Sequence, residues 1–235
     1  MNQKKFWVWK NQSDTEERTL ELYGAIAEES WFDDDITPQI FRDELNSGAG
    51  PVTVWINSPG GDCIAASQIY SALIGYPDKV TVKIDGIAAS AASVIAMAGD
   101  RIFMAPTAVM MIHNPATEVF GDKKAMKDAI DMLETVKNSI LDAYELKSNL
   151  SRDEISKKMD ATTWMDCKDA IAWGFADGIL EKNERKMENT GFDFSSTRAS
   201  DNLMKKMTAK YRPKETDTGR EISALLDELK KHEIA

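Results

Sequence analysis

Histidine and cysteine are scarce in this chain, and each scarcity narrows its chemistry. The cysteines, Cys63 and Cys167, stand far apart and outside any CxxC or Cys/His cluster, so a metal centre and a disulfide framework both lack support. Of the histidines, His232 sits in a charged tail, which leaves His113 as the one serious general base. Long apolar runs are missing as well. The apolar patch in MNQKKFWVWKNQ is too short and too interrupted by Lys and Gln for a signal peptide or a membrane span. Positive charge is outweighed, 29 Lys and Arg against 39 Asp and Glu, and a formal charge of −10 opposes attraction to nucleic acid or anionic lipid. No G-x-x-x-x-G-K-[S/T] phosphate loop occurs, so any ATP dependence would have to come from a separate ATPase. These absences describe a soluble, cytoplasmic protein with no cofactor and no nucleic-acid or membrane partner.

What the chain does contain is alternation. At 235 residues it suits one domain with a tail. Phe-Trp-Val-Trp at 6–9 and TLELYGAI at 19–26 read as strands, and Thr37-Pro38 opens a helix that runs through Leu45 to the break at Ser47-Gly48. The order then repeats: strand 52–57, helix 64–74, strand 79–85, helix 90–97, and strands near 101–104 and 108–113. Such alternation predicts an α/β fold with parallel pairing and right-handed crossovers.

Apolar residues at helical spacing between Asp122 and Lys147 predict a long amphipathic helix, and Ser151 with Glu154 forms a capping box for the next one. A helix over 166–173 ends at Gly174, and 175–180 reads as a last strand. The domain is expected to span 1–182. Beyond it, 183–235 reads as a charged linker and tail, with a helical pattern at 221–231.

Three segments could carry chemistry. Asn57-Ser58-Pro59-Gly60-Gly61-Asp62 joins a strand to a helix, and its glycines permit a tight turn whose N–H groups face a ligand; an ordinary βα turn is the plain alternative. In Gly86-Ile87-Ala88-Ala89-Ser90-Ala91-Ala92-Ser93, Ser90 stands where a strand hands over to a helix of small residues. There it is either a nucleophile or a helix cap, while Ser93, one turn on, is expected to pack inside the helix. His113 ends the apolar strand Val109-Met110-Met111-Ile112 beside a loop, and is either a base or a satisfied core histidine.

In this order, INSPGG at 56–61, GIAAS at 86–90 and MMIHNP at 110–115 resemble the motifs of the Clp protease proteolytic subunit family, and AIAWGFAD at 170–177 resembles its closing helix and strand. The wording of ELYGAIAEESWF, DGIAASAASVIAMAGD, HNP and TWM is closest to the ClpP-related head-maturation proteases of tailed phages and prophages. The resemblance implies a ClpP/crotonase-like ββα spiral with a protruding handle helix, assembled into a homo-oligomeric ring that encloses its sites. It implies a serine endopeptidase with Ser90 as nucleophile, His113 as base, and the N–H groups of Gly61 and Ala91 as the oxyanion hole. Polypeptide substrates follow from it, with capsid or scaffold protein as those of the phage branch.

The family's catalytic Asp falls on Thr162, a departure that puts the third residue in doubt. Asp160 is the expected acid, Thr162 a supporting partner, and Asp166 an alternative that looks more like the cap of the helix after it. Rival readings are a housekeeping Clp degradation subunit, a crotonase-like acyl-CoA enzyme and a catalytically inactive ring subunit.

Overall fold

The structure, a computed structural model, describes residues 5–10, 18–26 and 38–181. The tail expected over 183–235, with its helix at 221–231, lies outside them. The elements run β1 (Trp7–Lys10), β2 (Arg18–Tyr23), α1 (Pro38–Leu45), β3 (Val52–Ser58), α2 (Cys63–Ile74), β4 (Val80–Ala89), α3 (Ala91–Ala96), β5 (Arg101–Met104), β6 (Val109–Ile112), α4 (Lys123–Glu145), α5 (Arg152–Asp160), β7 (Thr163–Asp166), α6 (Cys167–Ala172) and β8 (Gly178–Ile179).

The mixed α/β architecture is the expected one, consistent with a ClpP-type fold. The main sheet runs β1-β2-β3-β4-β5-β8, parallel throughout except for the antiparallel edge strand β1. Because the order advances in one direction from β2 to β5, right-handed crossovers set the intervening helices on one face, which is what makes a spiral. In keeping with that, α2 packs against both α1 and α3. The two central strands differ: β3 is buried on both faces from Val52 to Ile56, whereas β4 alternates, with Val80, Val82 and Ile84 buried and Thr81, Lys83 and Asp85 only partly so.

On the edge away from β3, β4 serves two partners. Thr81 to Ile84 pair with β5, whereas Ile87 to Ala89 pair with β6, which in turn carries β7 antiparallel. The switch falls at Asp85-Gly86, beside a register shift in which Ile56 faces Ile84 but Ser58 faces Ala88. A Cβ at Gly86 would meet the Asn57 side-chain amide at 2.5 Å, so a larger residue at the bend would have to push that amide aside.

The long helix forms over nearly its expected span, and Asp122 caps it by accepting from the Ala125 N–H. Its halves differ: Ile130 is 62% exposed, whereas Ile140, Leu141, Ala143 and Tyr144 are buried, so α4 is rooted in the core only at its C-terminal end. The Ser151–Glu154 capping box is present with both its bonds. Two expectations need correction. The segment 163–166 forms a strand that the pattern did not announce, and the closing strand is confined to Gly178–Ile179. Among the described residues no helix is long and apolar enough to cross a membrane.

Candidate active site

Ser90 occupies the junction between β4 and α3 with φ 53° and ψ −125°, a conformation few non-glycine residues adopt. Two hydrogen bonds hold its backbone there, from the Ser90 N–H to the Met111 carbonyl at 2.8 Å and from the Ser93 N–H to the Ser90 carbonyl at 2.9 Å. The hydroxyl makes no helix-capping bond, so the plain reading of Ser90 as a cap does not describe it. Instead Ser90 Oγ lies 2.7 Å from His113 Nε2.

The register explains the meeting. Pairing of Ala89 with Met111 brings the end of β4 alongside the end of β6, and each chain then contributes a residue just past its strand. His113 is half-buried, and desolvation holds its pKa below the ordinary imidazole value. The neutral ring is the form that can accept a proton.

The Gly60-Gly61 turn closes the other side. The Gly60 N–H donates to Ser58 Oγ at 3.1 Å, and bonds from the Ile26 N–H to the Gly60 carbonyl and from the Asp62 N–H to the Ile26 carbonyl tie the turn to the end of the β2 segment. Asp62 then caps α2 by accepting from the Ala65 N–H at 2.7 Å. Gly60 has φ +96°, and a Cβ on it would lie 2.6 Å from the Ala89 carbonyl oxygen, 2.7 Å from Ser90 Cβ and 3.0 Å from the Ala91 nitrogen. The turn therefore touches the Ser90 junction with no room for a methyl group. Ala91 is the first residue of α3, where an N–H has no acceptor inside its own helix.

Beside this junction a cleft of about 260 Å³ runs between α2, α3 and α4, lined by Cys63, Tyr70, Ala91, Val94, Val136 and Ile140 among others. Burial and the neighbouring Asp62 push the Cys63 thiol upward, which keeps it protonated and a poor nucleophile at neutral pH.

The residues expected to supply the acid are arranged differently. Asp160, the last residue of α5, is exposed and accepts from Lys137 Nζ at 2.6 Å and from Asn114 Nδ2 at 2.9 Å. These two bonds hold its carboxyl below the ordinary range. Among the described residues the His113 ring has one hydrogen bond, to Ser90, and Asp160 bonds instead to the side chain of the next residue, Asn114. Thr162 is exposed and stands at φ 51°. Asp166 accepts from the Lys168 and Asp169 N–H groups at 2.8 and 2.9 Å, as a helix cap should. Among the described residues no group of three or more His, Cys, Asp or Glu could hold a metal ion.

Comparison with known proteins agrees with this geometry. The family model described as Clp protease matches residues 4–183. An ATP-dependent Clp protease proteolytic subunit 1 from Chlamydia muridarum is 34% identical over 142 residues, covering 58% of this chain and 73% of that protein. A proteolytic subunit from Porphyromonas gingivalis is 30% identical over 159 residues, covering 65% and 72%. One from Thermobifida fusca, subunit 2, is 29% identical over 154 residues, covering 63% and 76%. With its strained serine against a half-buried histidine, and with most of its length matched, the chain belongs to the Clp protease family of serine-type endopeptidases.

Proposed function

We propose that Ser90 is the nucleophile and His113 the general base of a peptide-bond hydrolase, a reading carried by the 2.7 Å approach of Ser90 Oγ to His113 Nε2 at a strained strand-to-helix junction. His113 Nε2 takes the hydroxyl proton as Oγ attacks the scissile carbonyl, and the N–H groups of Gly61 and Ala91 receive the oxyanion. The imidazolium then gives its proton to the leaving amine. A water, deprotonated by the same ring, attacks the acyl-enzyme and restores Ser90. Asp160 is the supporting acid: paired with Lys137, it fixes the side chain of Asn114, the residue after His113.

The substrates are polypeptides and the working form is a ring of identical subunits, as in the family at large. The half-exposed α4, with Met126 and Ile130 on its outer part, supports its use between subunits. Within the family we place the chain with prohead maturation, acting on capsid or scaffold protein. That placement is supported by the wording of the segments at 21–32, 85–100 and 163–165. The names of the similar proteins favour the other role, degradation with a separate ATPase.

The test is labelling by a fluorophosphonate, followed by mapping of the adduct, with Ser90→Ala alongside. Adduct on Ser90 and a loss of peptide hydrolysis of roughly 10⁴ or more in the variant are expected. A chain that resists the probe, or a Ser90→Ala variant that hydrolyses peptides normally, overturns the assignment. Cleavage of a capsid precursor, against casein digestion with a Clp-type ATPase, separates the two biological roles.

A further inference from the structure

Ser93 and Tyr144 meet behind Ser90, out of reach of solvent. Both are fully buried, Ser93 at 0% and Tyr144 at 1% exposure. Ser93 Oγ lies 2.6 Å from the Ser90 carbonyl oxygen and 2.8 Å from the Tyr144 hydroxyl. A carbonyl can only accept, so the single Ser93 hydroxyl proton goes to Ser90 and the Tyr144 proton goes to Ser93. The chain of donation therefore has one direction, from the root of α4 to the nucleophile's main chain. Burial pushes the pKa of Tyr144 well above the ordinary phenol range, so the donor keeps its proton at any working pH.

The Ser90 carbonyl and the Ala91 N–H belong to one planar trans peptide, with the two groups pointing in opposite directions. Whatever fixes the carbonyl also aims the N–H. Resting on the oxyanion reading of Ala91 given above, we propose that Tyr144 is a positioning residue which, through Ser93, orients the Ala91 N–H toward the oxyanion. The Ser93 N–H bond at 2.9 Å leaves the peptide free to rock about a single anchor, and the hydroxyl bond at 2.6 Å supplies the second. Bonds arranged in series also polarise one another, so the last acceptor gains from the first donor.

The experiment compares wild type, Tyr144→Phe, Ser93→Ala and the double variant. Tyr144→Phe keeps the ring packed against Phe175, 5.5 Å away between centroids, and deletes only the donor. It should lower kcat about tenfold with KM within about twofold, because an oxyanion donor acts in the transition state. Affinity for a peptide boronate, which forms a tetrahedral anion on the serine, should fall by the same factor, while affinity for a product peptide stays put. Ser93→Ala should cost more, and adding Tyr144→Phe to it should cost nothing further, since the second donor acts only through the first. Losses that multiply in the double variant, or equal falls in boronate and product affinity, would show a packing role and overturn the relay. Failure of the wild type to bind the boronate overturns the site assignment itself, and the relay with it.

Discussion

The two sides of the candidate site are held in different ways. Ser90 and His113 follow directly from strands whose backbones are hydrogen-bonded to each other, so their meeting is written into the register of β4 and β6. Asp160 ends a helix at the surface, and side-chain bonds from Lys137 and Asn114 hold it. Backbone pairing leaves little slack, because slipping one residue would turn every side chain to the other face. Exposed side-chain pairs are weak and easily exchanged. The proposed nucleophile and base are thus the rigid part of the site, and the proposed acid is the adjustable part. The sequence has Thr162 where the family's acid falls, and the carboxylate two residues earlier, Asp160, is bonded to Lys137 and Asn114.

The sharpest way to break the rigid side is Gly60→Ala. The added methyl would strike the Ala89 carbonyl, Ser90 Cβ and the Ala91 nitrogen, none of which is a flexible side-chain end. Turnover should fall by about 10³, as when an oxyanion donor is lost. Gly50→Ala is the matched control, because Gly50 has φ +90° but open space around it. It should cost roughly 1 kcal/mol of stability and leave turnover alone. Equal activity losses in both would mean that backbone strain, not contact with the nucleophile, is the cause.

On the adjustable side, Asp160→Asn should lower kcat by about tenfold, well short of the roughly 10⁴ seen when an acid bonded directly to the histidine is replaced. Thr162→Val should change it less than about twofold, since the exposed hydroxyl carries no charge. A large loss in Thr162→Val with full activity in Asp160→Asn would reverse the assignment and make the site a Ser-His pair aided by a hydroxyl.

The smallest effect is in pH. Burial lowers the His113 pKa, so the neutral base survives below the ordinary imidazole value of 6.5, and activity is lost only as pH falls through the lowered value. The acidic limb of kcat/KM should therefore lie below pH 6.5 in the wild type. A limb above 6.5 would mean that a nearby carboxylate stabilises the imidazolium more than burial opposes it, and would move Asp160 to the direct side of the comparison.

Much of this was legible in the sequence because local signals and site residues coincide. Gly-Gly after a strand, a serine before a run of alanines and a histidine ending an apolar strand each mark a strand end, and parallel strands bring such ends together. The helix caps at Ser151 and Asp166 were equally plain, since a cap is settled within four residues. What escaped depends on distant contacts. β7 is only four residues long, and it is a strand because β6 lies beside it. Asp160 meets Lys137 and Asn114 across 23 and 46 residues, and no periodicity reports that. Ser93 read as helix packing because its burial is local, while its bond to Tyr144 spans 51 residues.

The forked strand β4 has a consequence in time. With β3 along its other edge, it pairs with β5 over Thr81 to Ile84 and with β6 over Ile87 to Ala89, and the Ser90 amide itself is tied to Met111. A single continuous strand cannot release one prong and keep the other in register for long, so these amides should open as one cooperative unit. In hydrogen–deuterium exchange the Ser90 amide should then take up deuterium as slowly as the innermost strand residues, far later than its partial exposure suggests. The proposed nucleophile would then ride on backbone that opens as slowly as the inner strands of the sheet.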